Sequence, residues 1–340
     1  MKSSQKKHKV VVFDVDETLG NFAQFSLFGH VLEEYFNDPN IMYRYFNDLV
    51  DLYPEIIRPS MVRILDYIRK KKNSGICSKV MIYTNNTGPD KWVSHIRHYF
   101  EYKLRTASAS SANDLAIVPP LFDHIIGGFK PNQTHHTSNG YPQRTTKDKT
   151  VDDFIHCSRL PSNIEVCFID DLYHPKMTDE RVYYIKLQPY YSHIPFETFV
   201  IRFLNSALFR NVFDKMHVPS ISPSTAMSAV VKKQILSIEI HNLFAKYANI
   251  SNYDAKMHQK KMNPREIDEI ISKYILFHLQ QFFRDGPPRF PSSTTLKQLR
   301  RSSSKTTKKK GSSQHNPGNV FHVDKTNAVK NMHNKTIRNR

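Results

Sequence analysis

Short apolar runs alternate with helical patterns along the first 200 residues. Five runs rich in Val, Ile and aromatic residues are predicted to be strands, because a buried helix would need a longer segment; they cover residues 9–13, 79–83, 124–126, 165–169 and 182–187. Between them, apolar residues recur at helical spacing, most clearly at Met61, Ile64, Leu65 and Ile68. Strands that alternate with helices favour parallel crossovers. The pattern therefore predicts an α/β fold with a doubly wound parallel sheet.

Capping and helix-breaking residues indicate where the helices begin. Helices are expected at about 31–36, 41–52, 89–104 and 151–158. The helix that contains Met61 is expected to begin at Pro59, since proline suits the first helical position. Farther along, Asn263 is expected to cap a helix, with Glu266 near the capping-box position.

The pattern changes after the last predicted strand. Helical patterns replace the alternation, and beyond Gly286 apolar residues become scarce while charge rises. These changes predict a basic N-terminal extension at 1–8, an α/β domain at 9–205, a helical C-terminal region at 206–286 and a disordered basic tail at 287–340.

The tail carries most of the net charge. It holds 13 Lys and Arg against one acid, which accounts for +12 of the chain's +18. The segment RRSSSKTTKKK at 300–310 has the composition of a nuclear-localisation or nucleic-acid-binding segment, and a merely solubilising tail is the alternative. Aromatic residues are sparse in the tail, so any nucleic-acid binding is expected to be nonspecific.

The composition argues against a membrane protein and against a disulfide-stabilised secreted protein. No apolar run approaches the ~20 residues of a membrane span, and no signal-peptide pattern follows the basic N-terminus, so no membrane partner is expected. Cys77, Cys157 and Cys167 are too few for a disulfide framework. They are predicted to be reduced core thiols of an intracellular protein, cytoplasmic or nuclear.

Acids or a hydroxyl follow three of the predicted strands. Asp14 and Asp16 follow the first, Thr84 the second, and Asp170 with Asp171 the fourth. Because the carboxyl ends of parallel strands meet at one edge of the sheet, these side chains are expected to form one site. Carboxylates are ligands that Mg²⁺ prefers.

These residues also carry a resemblance. VVVFDVDETL at 10–19 resembles the first motif of the haloacid dehalogenase (HAD) superfamily, Thr84 in MIYTNN its second, and the Asp170–Asp171 pair its fourth. The third motif is a lysine, for which Lys149 is the better match and Lys147 the weaker. The resemblance covers about residues 8–205 and implies a HAD-like catalytic domain with a Rossmann-like sheet.

The resemblance implies a role for each residue. Asp14 would be the nucleophile that forms an aspartyl-phosphate, and Asp16 would be the general acid and base. Thr84, Asn85 and Lys149 would bind the phosphate. The cofactor would be Mg²⁺, and its ligands would be Asp14, Asp16 through its backbone carbonyl, Asp170 and Asp171.

Comparison within the superfamily narrows the expected activity. Asp16 argues against dehalogenases, and the missing membrane spans argue against transporting ATPases, which leaves phosphatases. DVDET resembles phosphatases of the C-terminal domain of RNA polymerase II, whereas TNN and DDLYHPKM are more similar to HAD proteins of large DNA viruses.

The spacing of the motifs bears on the substrate. Asp14 and Thr84 are 70 residues apart, which leaves room for only a minimal cap around residues 20–52. An open site suits a macromolecular phosphate, on a phosphoprotein or a nucleic-acid end. The expected function is a Mg²⁺-dependent phosphomonoester hydrolase. The alternative is a catalytically minor binding or scaffold protein on a HAD fold, tethered to nucleic acid by its tail.

Overall fold

Six parallel strands form one sheet in the computed structural model, which describes residues 7–107, 119–131, 140–161, 163–213, 228–288 and 320–323. The strand order is β3-β2-β1-β4-β5-β6. The chain adds strands on one side of β1 and then returns to pair β4 on its other side. The strands are β1 (His8–Phe13), β2 (Lys79–Tyr83), β3 (His124–Ile126), β4 (Ile164–Asp170), β5 (Val182–Leu187) and β6 (Val320–Val323).

Helices flank the sheet. They are α1 (Ala23–Tyr35), α2 (Ile41–Arg44), α3 (Phe46–Asp51), α4 (Met61–Asn73), α5 (Asp90–Thr106), α6 (Val151–Ser158), α7 (Phe196–Asn205), α8 (Ala207–Asn211), α9 (Ala229–Ile250), α10 (Tyr253–His258) and α11 (Arg265–Asp285). The predicted α/β class with a doubly wound parallel sheet is confirmed.

Both faces of β1 are buried, which explains its continuous apolar run. Val11 and Phe13 belong to one apolar cluster, whereas Val10 and Val12 belong to another that includes Phe154 of α6. A strand covered on both faces has no solvent side on which polar residues would alternate.

Three predicted helix starts are wrong. The helix expected at about 31–36 begins earlier, as α1 at Ala23. Helix α4 begins at Met61 rather than Pro59, because Ser60 adopts a left-handed backbone (φ 61°) that cannot continue a helix. The capping box at Asn263 is also absent, because α11 begins at Arg265 and Pro264 occupies the cap position. The Asn263 side chain instead accepts a hydrogen bond from Gln188 and donates one to Asp268.

The prediction of a disordered tail from 287 to 340 is wrong for Val320–Val323, which forms β6. This strand pairs in parallel with β5, and Phe321 stacks on Tyr183 with ring centroids 4.3 Å apart. The pairing provides hydrogen-bond partners for backbone N–H and C=O groups that would otherwise be unpaired along the edge of β5. Residues 289–319 and 324–340, including the basic segment 300–310, lie outside the described residues, as do residues 1–6 of the N-terminal extension.

The apolar core continues past residue 205. Helix α9 packs on α1 and α7, and α11 packs on α4 and β5. Phe28 of α1, Phe199 of α7 and Phe244 of α9 contact one another, with centroid distances between 4.8 and 5.8 Å. Residues on both sides of position 205 therefore stabilise the same core.

Two expectations about the class of protein can be compared with the described residues. Cys77, Cys157 and Cys167 are buried and free, as predicted for core thiols. No helix in the described ranges combines the length and the apolar character that a membrane crossing requires.

Acid is expected to weaken the packing of α11 on the sheet through His278. Its Nδ1 lies 2.9 Å from the Tyr183 hydroxyl, and burial lowers its pKa to about 4. The imidazole of an unfolded chain titrates near ~6.5, so between these values the unfolded state binds a proton that the folded state excludes. The contribution of His278 is fully present above pH ~6.5 and falls by about 1.4 kcal/mol per pH unit below it. Urea unfolding at several pH values measures this slope.

His278→Gln should have a shallower loss of unfolding free energy than the wild type between pH ~6.5 and ~4. The same substitution at the exposed His258 serves as the control and should keep the wild-type slope. Identical slopes for the wild type and His278→Gln would show that His278 does not couple to folding.

Candidate active site

Two neighbouring strand ends bring an acid cluster together. β1 and β4 pair in register from His8 to Phe13, and the amide of Asp14 donates to the carbonyl of Ile169 at 2.9 Å. Asp14 and Asp170 therefore emerge side by side where the strand order reverses, the position at which open α/β sheets bind ligands. Carboxylate oxygens of Asp14, Asp170 and Asp171 all lie within 4.8 Å of one another.

A buried lysine lies between two of these acids. Lys149 Nζ donates to Asp14 Oδ1 at 2.6 Å and to Asp170 Oδ2 at 2.7 Å, and its side chain is 1% exposed. Lys149 precedes α6, whose cap residue Thr150 also donates its amide proton to the Tyr83 hydroxyl at 3.1 Å. Lys147, the weaker sequence candidate, is exposed. Only Lys149 of the two reaches the acids.

The cluster holds more carboxyl groups than cationic groups, and the pKa values of its acids are shifted as a result. Burial raises the pKa of Asp14 to about 7, with Asp170 adding to the rise and Lys149 opposing it. Burial, together with Asp14 and Asp170, raises the pKa of Asp171 to about 8. Burial acts on Asp170 in the same direction, but Lys149 and the His174 imidazole lower its pKa below the ordinary value. The two carboxylates raise the pKa of Lys149, although burial alone would lower it.

These properties fit a divalent cation. The raised pKa values of Asp14 and Asp171 show that one ammonium does not compensate all of the clustered carboxylates, and buried charge without compensation is costly. The three carboxyls that lie within 4.8 Å of one another offer hard oxygen donors, which Mg²⁺ prefers over nitrogen or sulfur. Asp14, Asp170 and Asp171 could hold such an ion.

Asp16 lies on a tight turn that Arg58 stabilises through hydrogen bonds to backbone carbonyls. Asp16 Oδ2 accepts a hydrogen bond from Asn86 Nδ2 at 2.9 Å. Burial raises the pKa of Asp16, although this hydrogen bond acts to lower it. The next residue, Glu17, has a left-handed backbone with φ 55°. The buried Arg58 guanidinium donates to the carbonyls of Glu17 and Thr18 at 2.6 and 2.7 Å, which fixes the turn.

Thr18 connects this turn to the second acid pair. Its hydroxyl donates to Asp171 Oδ1 at 3.1 Å and accepts the amide proton of Asp171 at 3.0 Å. The ends of β1 and β4 are thereby joined by side-chain as well as backbone hydrogen bonds.

The loop after β2 contains Thr84 and Asn85, and it contacts the acids through the Asn86 side chain. The buried Thr84 hydroxyl accepts the amide proton of Asn86 at 3.1 Å, and a hydroxyl can donate at the same time. Arg144 donates to the Thr84 carbonyl and to Asn85 Oδ1, at 3.2 and 2.7 Å. Gly128 packs against this loop so closely that a Cβ there would lie 2.7 Å from the Asn86 carbonyl.

Several residues of the site were not identified from the sequence. Arg58 and Arg144 hold the loops, and His174 Nε2 lies 3.3 Å from Asp170 Oδ2. Lys260, between α10 and α11, lies 2.9 Å from Glu17 Oε1. The only sequence signal was the position of His174 four residues after Asp170. Arginines and lysines are common in loops, and nothing in their spacing indicates burial.

Comparison of the chain with family models, curated proteins and solved structures found no match. The fold and the site define a parallel α/β protein with a buried acid cluster at the reversal of strand order. The resemblance to the HAD superfamily rests on the sequence motifs alone.

Proposed function

We propose that this protein is a HAD-type phosphatase, a Mg²⁺-dependent phosphomonoester hydrolase that works through an aspartyl-phosphate on Asp14. The observation that carries the proposal is the contact of Lys149 with both Asp14 and Asp170. A buried ammonium in contact with a carboxylate nucleophile provides a place for an anionic substrate beside it. A lysine that served only to join Asp14 and Asp170 would not require a third buried carboxyl, that of Asp171, within 4.8 Å of both.

The first step would transfer the phosphoryl group to Asp14. A carboxylate oxygen of Asp14 attacks phosphorus, and the bond from phosphorus to the leaving oxygen breaks. Protonated Asp16 donates its proton to that oxygen, and its raised pKa favours the protonated form that this role requires. Lys149 and the Thr84 hydroxyl would bind the phosphoryl oxygens, with Asn85 beside them.

The second step would release phosphate. Asp16, now a carboxylate, accepts a proton from water, the water oxygen bonds to phosphorus, and the bond to Asp14 breaks. Free phosphate leaves and the Asp14 carboxylate is restored.

Asp14, Asp170 and Asp171, together with the backbone carbonyl of Asp16, would hold Mg²⁺. When bound, the ion would neutralise the repulsion between the carboxylate and the phosphate and would orient the in-line attack.

The proposed substrate is a phosphate on a macromolecule. Between Asp16 and α4 the chain forms α1 to α3 and a 3₁₀ turn at Pro54–Ile56, which is consistent with a minimal cap. The basic segment 300–310 would bind nucleic acid nonspecifically. The proposed location is intracellular, cytoplasmic or nuclear, where thiols such as the three free cysteines stay reduced.

Phosphate release tests the proposal. The wild-type protein should hydrolyse 4-nitrophenyl phosphate and a phosphoserine peptide in Mg²⁺, lose this activity in EDTA and regain it when Mg²⁺ is restored in excess. In the same assay, Asp16→Asn should reduce serine-phosphate turnover by about 10²–10⁴-fold and aryl-phosphate turnover by less, since a nitrophenolate leaves without a proton.

Two results would contradict the mechanism. Turnover that is insensitive to EDTA would remove the role of Mg²⁺. Equal losses on the two substrates in Asp16→Asn would show that Asp16 is not the acid.

A further inference from the structure

A cavity of about 380 Å³ lies between helices α1 and α2 on one side and the loop after β2 on the other. Met42 and Trp92 are buried on its lining, and more exposed walls are formed by His30, Tyr43 and Thr87. The volume is near the lower end of the ~300–1,000 Å³ range of ligand pockets. The cavity suits one or two side chains rather than a large ligand.

Asn86 connects this cavity to the proposed general acid. It lines the cavity, and its side-chain amide donates to Asp16 Oδ2 at 2.9 Å. An acid that protonates the leaving oxygen lies next to the group attached to that oxygen. On the proposed mechanism, therefore, the part of the substrate nearest the phosphate extends past Asp16 toward the cavity.

The charges around the cavity disfavour a polyanion. Glu33 lines it with a carboxylate 3.4 Å from His30 Nδ1, and among the described residues no lysine or arginine belongs to the lining. Two lysines contact lining residues without lining the cavity themselves, Lys130 through the Gly88 carbonyl and Lys91 through the Tyr43 ring. Lys130 is bound to Asp90 at 2.7 Å, and Lys91 lies 5.9 Å from the centre of the Tyr43 ring.

The lining distinguishes the two macromolecular substrates. A nucleic-acid end carries a further negative charge roughly every 3.4 Å of rise along its strand, and the next phosphate would approach Glu33 without a lining cation to neutralise it. A peptide brings uncharged amides instead, which the side chains of Asn85, Asn86 and Thr87 can pair. A basic residue beside the phosphorylated one would also satisfy the Glu33 carboxylate.

From these contacts we infer that the cavity binds the residue flanking a phosphorylated side chain of a protein substrate, and that Glu33 selects a basic residue there. This inference rests on the proposed phosphatase function and names its substrate class.

The test uses phosphoserine peptides that differ only in one flanking residue, Arg, Ala or Glu. For the full-length wild-type protein, kcat/KM should decrease in the order Arg, Ala, Glu, with each step about three- to fivefold, as for a partly exposed ion pair. Glu33→Gln should reduce the ratio between the Arg and Glu peptides toward one. Glu33→Lys should invert it. Glu34→Gln, the same substitution one residue along α1 at a side chain bound to Lys246 and Tyr247, should keep the wild-type ratio.

The outcomes separate this inference from the proposed function. In one outcome the protein hydrolyses 4-nitrophenyl phosphate but shows equal kcat/KM on the Arg, Ala and Glu peptides; in another, Glu33→Lys leaves the ratio between the Arg and Glu peptides unchanged. Either result overturns the cavity assignment without contradicting the proposed phosphatase function. Faster turnover of a 5′-phosphorylated oligonucleotide than of all three peptides also overturns it. If the wild-type protein hydrolyses none of these substrates, the proposed phosphatase function itself is contradicted.

Discussion

Replacement of Asp14 by asparagine is expected to lower phosphate release by about 10⁴-fold or more, the scale of loss seen when a covalent nucleophile is removed. The amide oxygen can still accept the hydrogen bond from Lys149, but it cannot attack phosphorus at a useful rate. The fold should survive, because the substitution removes one negative charge from a cluster that already holds an excess. Turnover of 4-nitrophenyl phosphate in Mg²⁺ and urea unfolding together measure both effects.

A covalent adduct supplies the direct evidence for this role. Rapid quenching of the wild type with substrate should leave a phosphoryl group on the peptide that contains Asp14, detectable by mass spectrometry and removed by hydroxylamine. The Asp14→Asn protein should show no adduct. Asp152→Asn, the same change at an exposed position of α6, should retain full activity. Near wild-type turnover by Asp14→Asn would contradict an aspartyl-phosphate intermediate on Asp14.

Replacement of Lys149 by methionine should damage both stability and activity. Methionine fills a similar volume, but Asp14 and Asp170 would lose their shared cation and remain buried. Removing one partner of a buried ion pair costs about 3–5 kcal/mol, because the remaining charge is left uncompensated. Turnover should fall by about 10²-fold or more, since the phosphate would lose a charge-assisted contact. Urea unfolding without added metal measures the loss of unfolding free energy.

Mg²⁺ should stabilise Lys149→Met more than it stabilises the wild type, because the variant cluster carries one more uncompensated negative charge. The matched control is Lys147→Met, since Lys147 belongs to the same loop but its side chain is exposed. That variant should be close to the wild type in both measurements. If Lys147→Met were the more damaging substitution, the third-motif residue would be Lys147 and the site assignment around Lys149 would be wrong.

Strand positions were the most predictable part of the fold. The predicted strands at 79–83, 124–126 and 182–187 coincide with β2, β3 and β5, and β1 and β4 differ by one residue at an end or at both. A strand covered on both faces leaves a continuous apolar run, and that signal is local. The helix start at Pro59 could not be predicted so well, because Ser60 takes a left-handed backbone while the Pro59 carbonyl accepts a hydrogen bond from Ser272 of α11. That partner is more than 200 residues away.

The position of the acids followed from the sequence for a general reason. Parallel strands all present their carboxyl ends at one edge, so residues directly after strands share that edge whatever the loops do. This reason covers Asp14, Asp16, Thr84, Asp170 and Asp171. It does not cover residues inside loops, whose positions depend on contacts distant in sequence.

The sequence by itself thus determined the fold class and the edge at which the acids gather, because both depend on burial patterns within single strands. The sequence favoured Lys149 over Lys147, and the tertiary structure decided that Lys149 reaches the acids, because the packing of the loop before α6 buries Lys149 and leaves Lys147 exposed. It also decided that Arg58 and Arg144 are buried, and that four residues of the basic tail complete the sheet as β6. These outcomes depend on distant backbone carbonyls and strand edges that would otherwise lack hydrogen-bond partners. A local pattern of hydrophobic and polar residues contains no information about such distant groups.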